Sequence, residues 1–172
     1  MLFLRTVLCL ILLLCCWKWG DWKNWQKYYP TILYMIVNQF LYIFFVDGRY
    51  FLWKMESENF LLNRTFSVLV AAFIIFPCII ILFLSYLPKS LIRQIGHLIL
   101  WGFILCAIEG VMFLNEKITY HHGWNYLWSI AFNFLIVTML RLHYYKPITA
   151  WLVSFVFTAF FVIYFHVPLP EH

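Results

Sequence analysis

Six apolar runs, separated by short polar and aromatic stretches, mark out the chain: residues 2–17, 31–46, 65–87, 95–114, 124–140 and 147–165. Each is roughly 16–23 residues long, against the roughly 17–25 that a helix needs to cross the apolar part of a bilayer. The pattern predicts an all-α fold: a polytopic transmembrane helix bundle of six spans, forming one membrane domain over residues 1–172. Five spans remain if the first or second run is re-entrant or lies flat. The punctuation between runs has physical causes. Pro88-Lys89 stops the third run. Pro147 suits the first position of the sixth helix, where its missing N–H is not needed. Pro77 lies inside the third run, where it frees a backbone carbonyl and makes either a fixed bend or a hinge. The first run follows Arg5 as a signal peptide would, but no small-x-small cleavage site comes after it, so it reads as an uncleaved span.

The fifth run carries a polar stripe. Asn125, Ser129 and Asn133 fall at i, i+4 and i+8, on one slowly drifting face of a helix. Lipid cannot pair such groups, so this face is expected to turn toward other helices. Glu109 stands within the fourth run, about six residues from its end, roughly 9 Å at 1.5 Å per residue. In a six-span topology Ser129, Asn133, Asn38, Gln39 and Thr158 come to a similar depth on their own helices. With Asn125 they make a candidate intramembrane polar layer around one carboxyl. An ionisable group in a span is a functional-site hypothesis by default. Glu109 is read three ways: as a neutral carboxyl acting as hydrogen-bonded glue among amides, as a proton-exchanging group in a transport cavity, or as a carboxylate ligand or general base.

Composition removes the soluble alternatives. The chain is 65% hydrophobic and 11% charged, with a mean hydropathy of +0.86. A soluble domain has roughly 45–50% apolar and about 25% charged residues, and a chain of this size could not hide the excess. Aromatic residues reach 23%. Trp17, Trp19, Trp22, Trp25, Tyr28 and Tyr29, interleaved with Lys18, Lys23 and Lys27, fit the headgroup zone of a bilayer. The net charge of +5 is scattered, with no basic groove or RNA-binding motif, so no nucleic-acid partner is expected. The bilayer is the expected partner, with a further membrane protein or a second copy of the chain as candidates. Six spans put Lys18, Lys23, Lys27, Lys89, Arg93, Arg141 and Lys146 on one side. Arg5, Arg49, Lys54, Arg64 and Lys117 fall on the other. The richer side is expected to be cytoplasmic, with both termini outside.

Two further clusters carry candidate chemistry. His121, His122, Trp124 and Trp128 stand at the start of the fifth run as an outer-face cluster, within reach of the Glu109 level. At the opposite side Arg141, His143, His97 and Arg93 form a basic rim, read as headgroup contact or as an anion site. Adjacent histidines with one acid do not make a zinc motif, and no haem pairing of His97 with His143 is expected. Cys9, Cys15, Cys16, Cys78 and Cys106 show no C-x-x-C spacing and read as small buried hydrophobes. No cofactor and no metal are expected. Asn63-Arg64-Thr65 matches a glycosylation sequon by letter only.

Trp25, Tyr28-Tyr29-Pro30-Thr31, Pro77, Glu109, His122-Gly123-Trp124-Asn125, Trp128-Ser129, Leu140-Arg141-Leu142-His143, Pro147 and Trp151 together resemble a family of small polytopic membrane proteins. That family occurs in Bacillus- and Clostridium-like Firmicutes and has no assigned activity. The resemblance covers most of the chain and implies the bacterial plasma membrane, with a loose link to sporulation or the envelope, and no mechanism. In that family tryptophan often follows the glutamate; here it is Gly110.

Three classes of function follow. Short loops and the lack of a catalytic motif favour a non-enzymatic structural or regulatory membrane component. The shared-depth polar layer and Pro77 favour a small proton- or ion-coupled transporter or substrate-binding subunit centred on Glu109. An intramembrane enzyme acting on a lipid or envelope substrate would need paired acids or a nucleophile with a base, and neither pattern occurs.

Overall fold

The computed structural model describes residues 2–46, 50–55 and 64–168. It is an all-α bundle of seven helices: α1 (Leu2–Trp19), α2 (Tyr29–Val46), α3 (Arg64–Val70), α4 (Phe76–Ser85), α5 (Leu91–Leu114), α6 (Tyr126–Tyr145) and α7 (Pro147–Tyr164). A π turn, Ala71–Ile75, joins α3 to α4, so residues 64–85 run as one helical rod. Pro77 follows this turn as the second residue of α4. Proline offers no N–H to the turn before it, and the wider π turn accommodates the change.

Among the described residues four helices are long and apolar enough to cross a membrane: Phe66–Ser85, Leu91–Leu114, Tyr126–Tyr145 and Pro147–Tyr164. Thr6–Trp19 and Tyr29–Phe45 are shorter apolar helices. The rods alternate in direction. At one end Asp21 N–H donates to Ser85 Oγ (3.0 Å), Tyr86 Oη to the Trp19 carbonyl (2.9 Å) and Gln94 Nε2 to the Pro88 carbonyl (2.7 Å). The turn after α1 is a 3₁₀ segment, Trp22–Lys27. Asp21 ties it together, accepting from Asn24 Nδ2 and Tyr28 Oη. Trp17, Trp19, Trp22 and Trp25 are exposed there, whereas Tyr28 is buried.

The opposite end differs from the plain polar loops that the sequence pattern suggests. Two short strands form there, β1 (Trp53–Met55) and β2 (Ile118–Tyr120), antiparallel with Trp53 opposite Tyr120. Each is three residues long and lies between apolar runs, too short for a two-residue alternation to be visible. Arg49, Glu56, Glu58 and the Asn63 of the sequon lie outside the described residues.

The main core gathers Tyr28, Ile32, Ile80, Phe83, Val137, Leu140 and Ala150 from α2, α4, α6, α7 and the turn before α2. A second core under the strands holds Leu52, Trp124, Phe165 and Val167. Helices α5 and α6 approach closely because Gly102 has no side chain: a Cβ there would lie 2.4 Å from the Phe134 ring. Gly110 acts similarly. A Cβ would sit 2.6 Å from the Tyr126 hydroxyl, which donates to the Cys106 carbonyl. A tryptophan after Glu109 would displace that ring.

Candidate functional site

A cavity of about 420 Å³ opens inside the bundle beneath the two strands. Its wall is mostly apolar, from Leu105, Ile108 and Met112 on α5, Ile136 and Met139 on α6, and Phe157 on α7. Among these stand polar side chains from four helices: Asn38 and Gln39 on α2, Glu109 on α5, Ser129 and Asn133 on α6, Ser154 and Thr158 on α7. They reach one space because each lies inward on a helix of alternating direction.

Glu109 is held at both oxygens. Oε1 accepts from Tyr120 Oη (2.8 Å) and Oε2 from Asn133 Nδ2 (2.5 Å). Both oxygens of Glu109 therefore serve as hydrogen-bond acceptors. Tyr120 is the last residue of β2, so the strand's register helps fix its hydroxyl on the preceding helix, α5. Burial, and then the hydrogen bond to Glu109, holds the Tyr120 phenol above its ordinary tyrosine value, which keeps it a donor. Asn133 is buried and sits one helical turn after Ser129. Ser129 Oγ accepts from Trp124 Nε1 (2.8 Å).

On α2, Asn38 Nδ2 donates back to the Tyr34 carbonyl (2.8 Å). Tyr34 and Ser154 share a hydrogen bond between their hydroxyls (2.5 Å). The Gln39 and Thr158 side chains have no hydrogen-bond partner among the described residues and face the cavity.

Asn125 does not join this layer. It is the N-cap of α6, its side-chain oxygen accepting from the Leu127 and Trp128 N–H groups. An Asn directly before an apolar run satisfies the helix's open donors, and that local demand takes the side chain. The histidines also stand elsewhere. His121 and His122 are exposed. His122 (φ 54°) and Gly123 (φ 82°) form the centre of a tight turn closed by Trp124 N–H to the His121 carbonyl (3.0 Å). Both central residues have positive φ, which glycine accepts freely and histidine tolerates. His122 stacks on Tyr50 and His121 meets Thr119 Oγ1, so neither reaches Glu109. Trp124 is buried at the centre of the second core and Trp128 packs on Phe160 and Tyr164.

The basic rim separates into different roles. His143 is buried: its Nδ1 meets Thr31 Oγ1 (3.1 Å) and its ring stacks on Tyr34. It leaves the rim because position 143 of α6 faces α2 and α7 rather than outward. His97 Nε2 bonds the Phe83 carbonyl (2.9 Å), closing α5 on α4. Arg141 Nε donates to Gln94 Oε1 (2.6 Å) and its guanidinium lies over Tyr145. Arg93 is exposed. Gln94, Tyr120, Tyr34 and Ser154 are residues that the sequence pattern does not flag. Only Gln94 carries a signal, as a lone amide three residues before His97 on one helix face.

The arrangement defines a helical bundle with a partly open, largely apolar cavity bordered by one hydrogen-bonded acidic side chain, Glu109. No known family model, no curated protein and no solved structure matches the chain.

Proposed function

We propose that this is a multi-pass membrane protein of six spans that binds a small amphipathic molecule inside its bundle, without catalysing a reaction on it. The plasma membrane of a bacterium, which the family resemblance implies, is the proposed location. The observation that carries the reading is the cavity itself: 420 Å³ of space, an apolar wall and a polar level with two side chains, Gln39 and Thr158, still open for bonding. Ligand sites are concave, mostly apolar and carry a few placed polar groups. The space favours a substrate-binding or transport role over a purely structural one, because a layer built only as glue needs no room beside it.

The outward faces of the helices support the membrane setting. Ile92, Leu114, Ile148, Leu152 and Ile163 are more than half exposed, and apolar surface on this scale is suited to lipid. Cysteine labelling in vesicles tests the topology. A single cysteine at Asn24, in a background without native cysteines, is expected to react from the opposite side to one at His121. Labelling of both from the same side would overturn the six-span reading.

The binding role is tested by filling the space. Thr158 breaks no hydrogen bond when replaced, so Thr158→Trp puts a ring into the cavity with little loss of stability. Native mass spectrometry of gently purified wild type is expected to reveal bound small amphiphiles, and Thr158→Trp to lose them. The same adducts on both proteins would overturn the binding role.

A further inference from the structure

We propose that the head of the bound molecule is an ammonium cation, seated against Glu109, with an alkyl or other apolar body along the cavity. This deepens the ligand-binding reading above and rests on it. The first argument is charge. Glu109 accepts from two neutral donors, Tyr120 Oη and Asn133 Nδ2. Among the described residues no lysine, arginine or histidine lies within ion-pair distance of it. Lys54 borders the same cavity from β1. His121 and His122 belong to the exposed turn. Glu109 is half-buried, and a carboxylate that gives up part of its water shell gains from a paired cation. Among the described residues the protein gives Glu109 hydrogen bonds and no ion pair.

The second argument is donor and acceptor matching. A carboxylate has roughly four acceptor positions, and two are taken. The Gln39 amide oxygen and the Thr158 hydroxyl also face the cavity and accept from no described residue. Asn38 uses its amide nitrogen on the Tyr34 carbonyl, which leaves its oxygen. These groups together call for a ligand rich in donors and lacking acceptors. A primary ammonium has three donors and no acceptor.

The third argument is the aromatic wall. Tyr42, Trp53 and Phe132 border the cavity near its strand-covered end, with Trp53 4.1 Å from Tyr42 and 5.2 Å from Phe132 between ring centroids. Aromatic faces attract cations most strongly where water is excluded. A fatty carboxylate would meet Glu109 with like charge, and a fatty alcohol would leave it unpaired.

The test uses the full chain in a nonionic maltoside and three probes of one chain length: decylammonium, decanol and decanoate. Binding is read by native mass spectrometry at equal free concentrations. On wild type, decylammonium is expected to bind about tenfold or more tightly than decanol, the scale of one hydrogen bond to a charged group. Glu109→Gln is expected to remove that preference while leaving decanol binding in place. Equal binding of decanol or decanoate to wild type would overturn the cation assignment. If Thr158→Trp still blocks those probes, the cavity reading stands without it. A preference that survives Glu109→Gln would also overturn it. Failure of all three probes to bind wild type would overturn both readings. The headgroup series on wild type decides the matter without any variant having to fold.

Discussion

Replacing Glu109 by leucine is expected to destabilise the bundle by about 2–4 kcal/mol, because two donors lose their acceptor together, each unsatisfied donor costs about 1–3 kcal/mol when buried, and Tyr120 is only half-buried. Tyr120 Oη and Asn133 Nδ2 are those donors. At roughly 2–4 °C per kcal/mol for a chain of this length, the melting temperature in detergent should fall by roughly 4–16 °C. Glu109→Gln should cost about 1 kcal/mol or less: its amide oxygen still accepts from Tyr120, and Asn133 can turn its own oxygen to the new N–H. The conservative variant thus separates charge from hydrogen bonding. Adding Tyr120→Phe and Asn133→Leu to Glu109→Leu should recover much of the loss, since apolar replacement of all partners leaves no orphaned donor. A Glu109→Leu protein that melts at or above the wild-type temperature would show that the carboxylate is kept at a cost to stability, as functional groups often are. That result would show that relief of the unpaired charge outweighs the two lost hydrogen bonds.

Trp124→Ala is expected to have an effect of comparable size, about 3–5 kcal/mol, the usual cost of truncating a large buried ring. The indole lies among Trp53, Trp128, Phe132, Phe161 and Phe165, and so joins β1 to α6 and α7. Its Nε1 donates to Ser129 Oγ. Trp124→Phe keeps much of the ring contact and gives up that bond, at about 1 kcal/mol, apart from any packing loss. The two substitutions therefore divide packing from hydrogen bonding. Chemical denaturation of the detergent-solubilised protein reads both. Limited proteolysis at the 115–123 connection should also quicken for Trp124→Ala, because the second core holds that connection down. Equal stability of Trp124→Ala and wild type would mean that the strands and α7 are held by other contacts.

Local rules made parts of this molecule legible from residue order. A proline at the start of a helix is a signal read within one turn of chain, and Pro147 opens α7 accordingly. The common depth of Asn38, Gln39, Glu109, Ser129, Asn133 and Thr158 follows from helix rise and alternating direction alone, and all six border the cavity. Depth along a helix axis is a property of sequence; rotation about that axis is not. Hence His143, which counting places at the rim, turns inward onto Thr31 and Tyr34. Asn125, which periodicity adds to the polar stripe, is claimed by the helix end.

The sequence by itself determined the all-α class, the positions of the apolar runs and the level at which polar side chains gather, because each depends on spacing over a few residues. Tertiary structure alone decided what those side chains do. The three-residue strands exist because residues 53–55 and 118–120 meet across the chain, and that meeting brings Tyr120 onto Glu109. Whether a polar layer closes on itself or borders open space depends on how closely the helices pack. That is set by small residues such as Gly102 facing a particular ring, and by the empty volume left between apolar walls. Neither has a signature in the order of residues, since both arise from pairs of positions far apart in the chain.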